Sequence, residues 1–161
     1  MVAGKASAKK RWREGSREGE GEMDVFEFRE RASSGVDAKT EALAEAVIGA
    51  AIEVHRHMGP GLTETSYRQA LSHELELRSI PHVCEVPFPI VYKGKTVGEG
   101  RLDILVAETL IVELKAVEAL SPIHRAHVVT YLRATRLRLA LLINFNVLLL
   151  KDGIKRVINT M

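Results

Sequence analysis

The stretch Arg101-Leu102-Asp103-Ile104-Leu105-Val106-Ala107-Glu108-Thr109-Leu110-Ile111-Val112-Glu113-Leu114-Lys115 limits the possible folds more than any other part of the chain. Its apolar residues fall into two short runs with room between them only for a tight turn, which reads as a β-hairpin. Three charges interrupt it: Asp103 in the first run, Glu113 and Lys115 in the second. Side chains alternate faces along a strand, so Glu113 and Lys115 point the same way and Leu114 the other. A hairpin symmetric about Glu108 pairs Leu105 with Ile111 and Asp103 with Glu113. Directly opposed Cβ atoms stand about 5 Å apart. Two carboxylates that close repel unless a cation lies between them or one takes a proton. Paired hard oxygens suit Mg²⁺, which binds one or two carboxylates and keeps several waters. The competing reading is structural, with Glu113 and Lys115 as an ion pair and Asp103 capping the hairpin. Charge inside apolar strands is costly, however, unless it is paired or liganded.

The 161 residues are enough for one domain with a real core. A net charge of +2 permits a nucleic-acid partner without arguing for one. Cys84 is the only cysteine, which rules out an internal disulfide and fits a reducing compartment such as the cytoplasm. No run of about 18 apolar residues is present, so no membrane span is expected. The basic residues near the start have no apolar core behind them, unlike a secretory signal. Residues 1–38 are Gly-, Ser- and charge-rich without hydrophobic periodicity, and read as a disordered charged extension. Within it, Lys9-Lys10-Arg11 is a solvated cluster able to meet phosphate, and Val25, Phe26 and Phe28 form the one amphipathic piece fit to dock.

The domain is expected over 39–161. Leu43, Val47, Ala50, Ala51, Val54 and Met58 have helical spacing, and Gly59-Pro60-Gly61 stops that helix. Thr63 is an N-cap for a second helix reaching about Arg78, with Leu62 and Tyr67 placed for a hydrophobic staple. Glu64 sits in its first turn, where the helix dipole favours a carboxylate and where a third acidic group would face the hairpin charges. His55 and His57 are two apart on a helix and make a poor metal pair. Residues 82–92 read as a strand that Pro87 and Pro89 confine to an edge, which leaves room for pairing into a homodimer. Lys93-Gly94-Lys95 turns into a strand over 96–106, where Gly98 and Gly100 suggest a bend or close approach by a ligand. Ser121-Pro122 opens a helix to about Thr135, with His127 and Tyr131 on one face and His124 close by. Leu137 to Phe145 reads as a buried central strand, and Val147–Leu150 with Ile154–Ile158 as a final hairpin about Asp152-Gly153. The order α–α–β–β–β–α–β–β gives an α/β (α+β) fold, a mixed sheet flanked by helices. His73, His82 and Cys84 make no metal spacing.

Asp103, nine intervening residues and Glu113-Leu114-Lys115 resemble the D…(D/E)-x-K signature of the PD-(D/E)XK nuclease superfamily. The flanking elements are similar to its restriction-endonuclease-like αβββαβ core. Gly61-Leu62-Thr63-Glu64-Thr65-Ser66-Tyr67 resembles, more narrowly, the motif of the GxxExxY protein family. So do Ala50–His55 before it and Leu141-Leu142-Ile143-Asn144-Phe145-Asn146 after the sheet. The resemblance spans residues 39–160. It implies Mg²⁺- or Mn²⁺-dependent hydrolysis of phosphodiester bonds in DNA or RNA, in a repair or defence setting. Asp103, Glu113 and Glu64 would be metal ligands, and Lys115 would position water and offset charge. Tyr131 matches the tyrosine of a Gln-x-x-x-Tyr motif in the recombination-exonuclease branch, with His127 standing where Gln is usual. The alternative is a catalytically silent nucleic-acid-binding or interaction module that keeps the fold.

Overall fold

In the computed structural model, residues 23–26 and 35–160 are described. Helix α1, Ala38–Met58, starts where the Asp37 carboxylate accepts the Thr40 N–H at 2.9 Å. It stops at Gly59, whose φ of +67° is left-handed. Helix α2, Glu64–Leu77, is capped by Thr63, whose hydroxyl accepts the Ser66 N–H at 3.2 Å. The expected Leu62–Tyr67 staple does not form, because Leu62 is exposed. Tyr67 is instead fully buried and stacks on Phe145 at 4.5 Å. Its hydroxyl donates to Gly59 O at 2.6 Å and accepts the Leu62 N–H at 3.1 Å. One tyrosine thus ties the α1–α2 turn to the core and fixes where α2, and with it Glu64, begins.

Strand β1 is Met23–Phe26, β2 His82–Tyr92, β3 Lys95–Val106, β4 Leu110–Lys115, β5 Leu139–Asn144 and β6 Ile154–Asn159. They form one sheet in the order β1-β6-β5-β4-β3-β2. Only β4 and β5 run parallel, joined through helix α3, Pro122–Thr135. The expected mixed sheet with helices against it is what the chain builds. Ile104, Val112, Leu114, Leu141 and Ile143 pack under α1 and α2. Leu105, Ile111, Ala140, Leu142 and Val157 pack under α3. Every residue of β5 is buried, as its unbroken apolar run requires. Among the described residues, no helix is long and apolar enough to cross a membrane.

Three expectations are corrected. The final hairpin is not Val147–Leu150 against Ile154–Ile158: β6 pairs antiparallel with β5, and Leu150–Gly153 is a 3₁₀ turn. Leu148 and Leu149 are exposed rather than strand residues, and a Cβ at Gly153 would meet Asn144 O at 2.1 Å. Within the extension over 1–38, Met23–Phe26 pairs with β6 as the outermost strand, including Val25 and Phe26 of the amphipathic piece; Phe28 lies outside the described residues. Gly100 makes room for no ligand: the Phe88 ring lies over it, 2.2 Å from where a Cβ would stand. At the other edge, β2 is the last strand, as its prolines require.

Candidate active site

The β3–β4 hairpin has the register its sequence dictates. Leu105 pairs with Ile111, Val106 with Leu110 and Ile104 with Val112. Ala107 and Glu108 make the turn with φ of 45° and 61°. Pairing stops one step before Asp103 and Glu113. There the Asp103 Oδ2 accepts the Leu114 N–H at 2.8 Å, a side chain standing in for the missing main-chain partner. On the other side of β3, Cys84 pairs with Ile104 and Val86 with Leu102. Glu85, opposite Asp103, lies outside the ladder with φ +53°. A left-handed glutamate costs on the order of 1–2 kcal/mol. Regular sheet is therefore interrupted on both sides of Asp103, which opens the strands where the charges lie.

Glu113 is 5% exposed. Its Oε1 lies 3.8 Å from Lys115 Nζ, and its Oε2 is buried with no hydrogen-bond partner among the described residues. Burial first, then the nearby Asp103, pushes the Glu113 carboxyl up to about 8. Burial also raises Asp103, against the lowering effect of the Leu114 N–H and of Arg68. Glu64 is raised by burial and then by Asp103, and the Tyr131 hydroxyl by burial and then by Glu113 and Asp103. Four of the groups singled out from sequence therefore converge, with Lys115 beside them. Two hard oxygen donors, one of them an orphaned buried oxygen, fit a divalent cation. Among the described residues, no three His, Cys, Asp or Glu side chains gather closely enough to form a ligand set on their own. Asp103 and Glu113 are the two carboxylates that the hairpin register brings together, and Glu64, at the start of α2, lies near enough for Asp103 to raise its carboxyl.

The helix α3 residues separate. Tyr131 is half-buried and set edge-on to Phe88 at 5.0 Å. His127 is exposed. His124 is the α3 histidine that lies near Glu64, and its Nδ1 accepts the Ser121 N–H at 3.0 Å. Sequence reasoning missed Arg68, one turn beyond Glu64 on α2 and close enough to act on both Glu64 and Asp103. Glu85 Oε1 lies 3.6 Å from Arg68 and 3.5 Å from Arg101. The four-residue spacing of Glu64 and Arg68 was the available signal. Asn144 is structural: its amide accepts from Val117 N at 3.1 Å and donates to Val117 O at 2.9 Å, which pins the chain leaving Lys115.

Two of the cavities among the described residues lie elsewhere. One, of about 560 Å³, is lined by Leu120, Pro122, Ala126, Val129 and Leu142 among others. The other, of about 540 Å³, involves Ile52, Gly59, Leu148 and Leu150. Neither is lined by Asp103 or Glu113, so the carboxylates belong to the opened end of the hairpin and not to either chamber. A family model described as the PD-(D/E)XK nuclease superfamily matches residues 41–157, from early α1 into β6. No curated protein and no solved structure matches the chain.

Proposed function

The chain belongs to the PD-(D/E)XK nuclease superfamily, and on that premise we propose that it is a divalent-metal-dependent hydrolase of nucleic-acid phosphodiester bonds, with Asp103 and Glu113 holding the ion. The observation that carries this reading is the buried, unpartnered Oε2 of Glu113 beside a second carboxylate. A bound Mg²⁺ or Mn²⁺ supplies Lewis-acid polarisation of a phosphoryl oxygen and acidifies water. The chain's own groups do the rest. Leu114 N–H fixes the Asp103 carboxylate. Lys115, two residues beyond Glu113 on the same strand face, offsets negative charge developing on phosphorus, an effect worth a few kcal/mol per group. Tyr131, with its hydroxyl held protonated, donates to a phosphate or leaving oxygen. Glu64 orients water beside the carboxylate pair, and His127, being exposed, contacts the polymer.

Membership of the GxxExxY family is part of the same proposal. It is supported by what the motif does here: Gly61 takes φ +96°, Thr63 caps α2, and Tyr67 ties the turn to the core. A reducing, cytoplasmic setting rests on the single thiol, Cys84. The test is cleavage of labelled single- and double-stranded DNA and RNA in Mg²⁺ or Mn²⁺ against chelator. Asp103→Ala is expected to abolish cleavage, and wild-type rates in that variant would remove the assignment. Salt-sensitive binding with no cleavage by the wild-type chain would leave only a nuclease-fold binding module.

A further inference from the structure

Beyond its pairing with β4, β3 continues as something different. Only Ile104–Val106 of β3 pair with β4, whereas its pairing with β2 runs on to Tyr92 and Lys95. From Pro89 outward the hairpin is a two-stranded ribbon projecting from the sheet, with Val91, Tyr92 and Val97 all more than half exposed. A ribbon this far from the core is not kept for its own stability, since an isolated pair of strands is marginal in water. Its tip is cationic: Lys93 and Lys95 stand against Glu99 alone between residues 89 and 99. The turn is Lys93-Gly94 with φ of 46° and 81°, so a lysine occupies a left-handed position where asparagine or glycine is the favoured residue. Lys93 Nζ lies 5.4 Å from the Tyr92 ring centroid, which sets charge and aromatic together at the tip.

We propose that this ribbon is a nucleic-acid-binding arm that seats in the major groove of B-form DNA, with Lys93 and Lys95 on phosphates and Tyr92 against the groove. The proposal rests on the nuclease reading above and adds a substrate class to it. The major groove of B-DNA admits a two-stranded β-ribbon, whereas that of A-form RNA is too deep and narrow for one. A second copy of the chain fits this edge less well, because Pro87, Pro89, the register shift at Ile90/Val91 and the lysines all obstruct strand-to-strand pairing. Continuity supplies a length. Asp103 lies eight positions beyond Lys95 on the same strand. At about 3.3 Å per residue the tip stands roughly 26 Å from the carboxylates, or about 8 base pairs of duplex.

The experiment is fluorescence anisotropy in chelator, with labelled DNA and RNA duplexes of one sequence, over 50–200 mM salt. The wild type is expected to favour DNA. Lys93→Ala/Lys95→Ala should flatten the log Kd against log salt plot by about 2 and weaken DNA binding about tenfold or more at low salt. Duplexes shorter than about 8 base pairs should show no difference between wild type and variant. Lys93→Asn should lose about one unit of slope while melting no lower, because asparagine suits the turn better. An unchanged slope in the double variant overturns the proposal. So does a wild type that binds no duplex, or a double variant whose only change is loss of a dimer in sedimentation. Binding is read without metal, so absent cleavage would strike the hydrolytic reading and leave the arm standing.

Discussion

Among the described residues, two of the acid–base pairs that lie under the surface are built to opposite ends. Arg156 on β6 meets Glu41 on α1 at 2.6 Å, with side chains 2% and 14% exposed. Lys115 meets Glu113 along a single strand at 3.8 Å, with side chains 18% and 7% exposed. Both bury charge, and burial costs each ion several kcal/mol unless close hydrogen-bonded geometry offsets it. The first pair has that geometry and clamps a helix to the sheet, although Arg156 Nε lacks a partner among the described residues. The second pair is too long to be a good hydrogen bond. Burial and then Asp103 push its carboxyl up to about 8 against the lowering pull of Lys115, and one oxygen goes unmatched among the described residues. Good geometry marks a charge kept for structure. Poor geometry at similar burial leaves one Glu113 oxygen without a partner among the described residues.

The contrast breaks most sharply at Glu113. Glu113→Gln is expected to lower the metal-dependent cleavage rate by on the order of 10³ or more in initial-rate assays. Its melting temperature should hold or rise, because an amide replaces a carboxyl that is already largely protonated at pH 7. A large loss of stability there would make the two pairs alike. Arg156→Ala should do the reverse. It removes a fully buried side chain and its 2.6 Å contact with Glu41, and should cost about 3–5 kcal/mol in denaturant melts, with cleavage per folded molecule retained.

A pH series sharpens the same point. Glu113 is raised from 4.5 to about 8 in the folded chain, so between those values the folded state holds a proton that the unfolded state has lost. Metal-free stability should therefore fall as pH rises from about 4.5 to 8 and level off above, by a few kcal/mol in all. Glu113→Gln should flatten that slope. The smallest effect is expected at Tyr131→Phe: about a tenfold slower cleavage from one lost hydrogen bond, and little change in melting because the ring keeps its contact with Phe88.

Much of this arrangement is legible in the chain. The register of the β3–β4 hairpin follows from apolar runs symmetric about Glu108, and that register alone opposes Asp103 to Glu113. The caps at Thr63 and Ser121 follow from local chemistry. What stays hidden is set by tertiary contact. Nothing local says that the Asp103 side chain replaces a ladder bond to Leu114, or that Glu85 turns left-handed opposite it. Asp152-Gly153 looks like a hairpin turn, yet the strand that pairs with β6 is β5, which a dipeptide signal cannot weigh against. Spacing from Tyr131 favours His127 over His124, whereas the start of α3 presents His124 to Glu64.

The most direct measurement is calorimetric titration of Mn²⁺ or Mg²⁺ into the protein at pH 7, in two buffers of different protonation enthalpy. The expected result is saturable binding that releases on the order of one proton, as the ion displaces it from Glu113, and that disappears in Asp103→Ala. Absence of saturable heat, or binding equally strong in Asp103→Ala, would contradict the claim that these two carboxylates are held apart from other partners in order to take a cation.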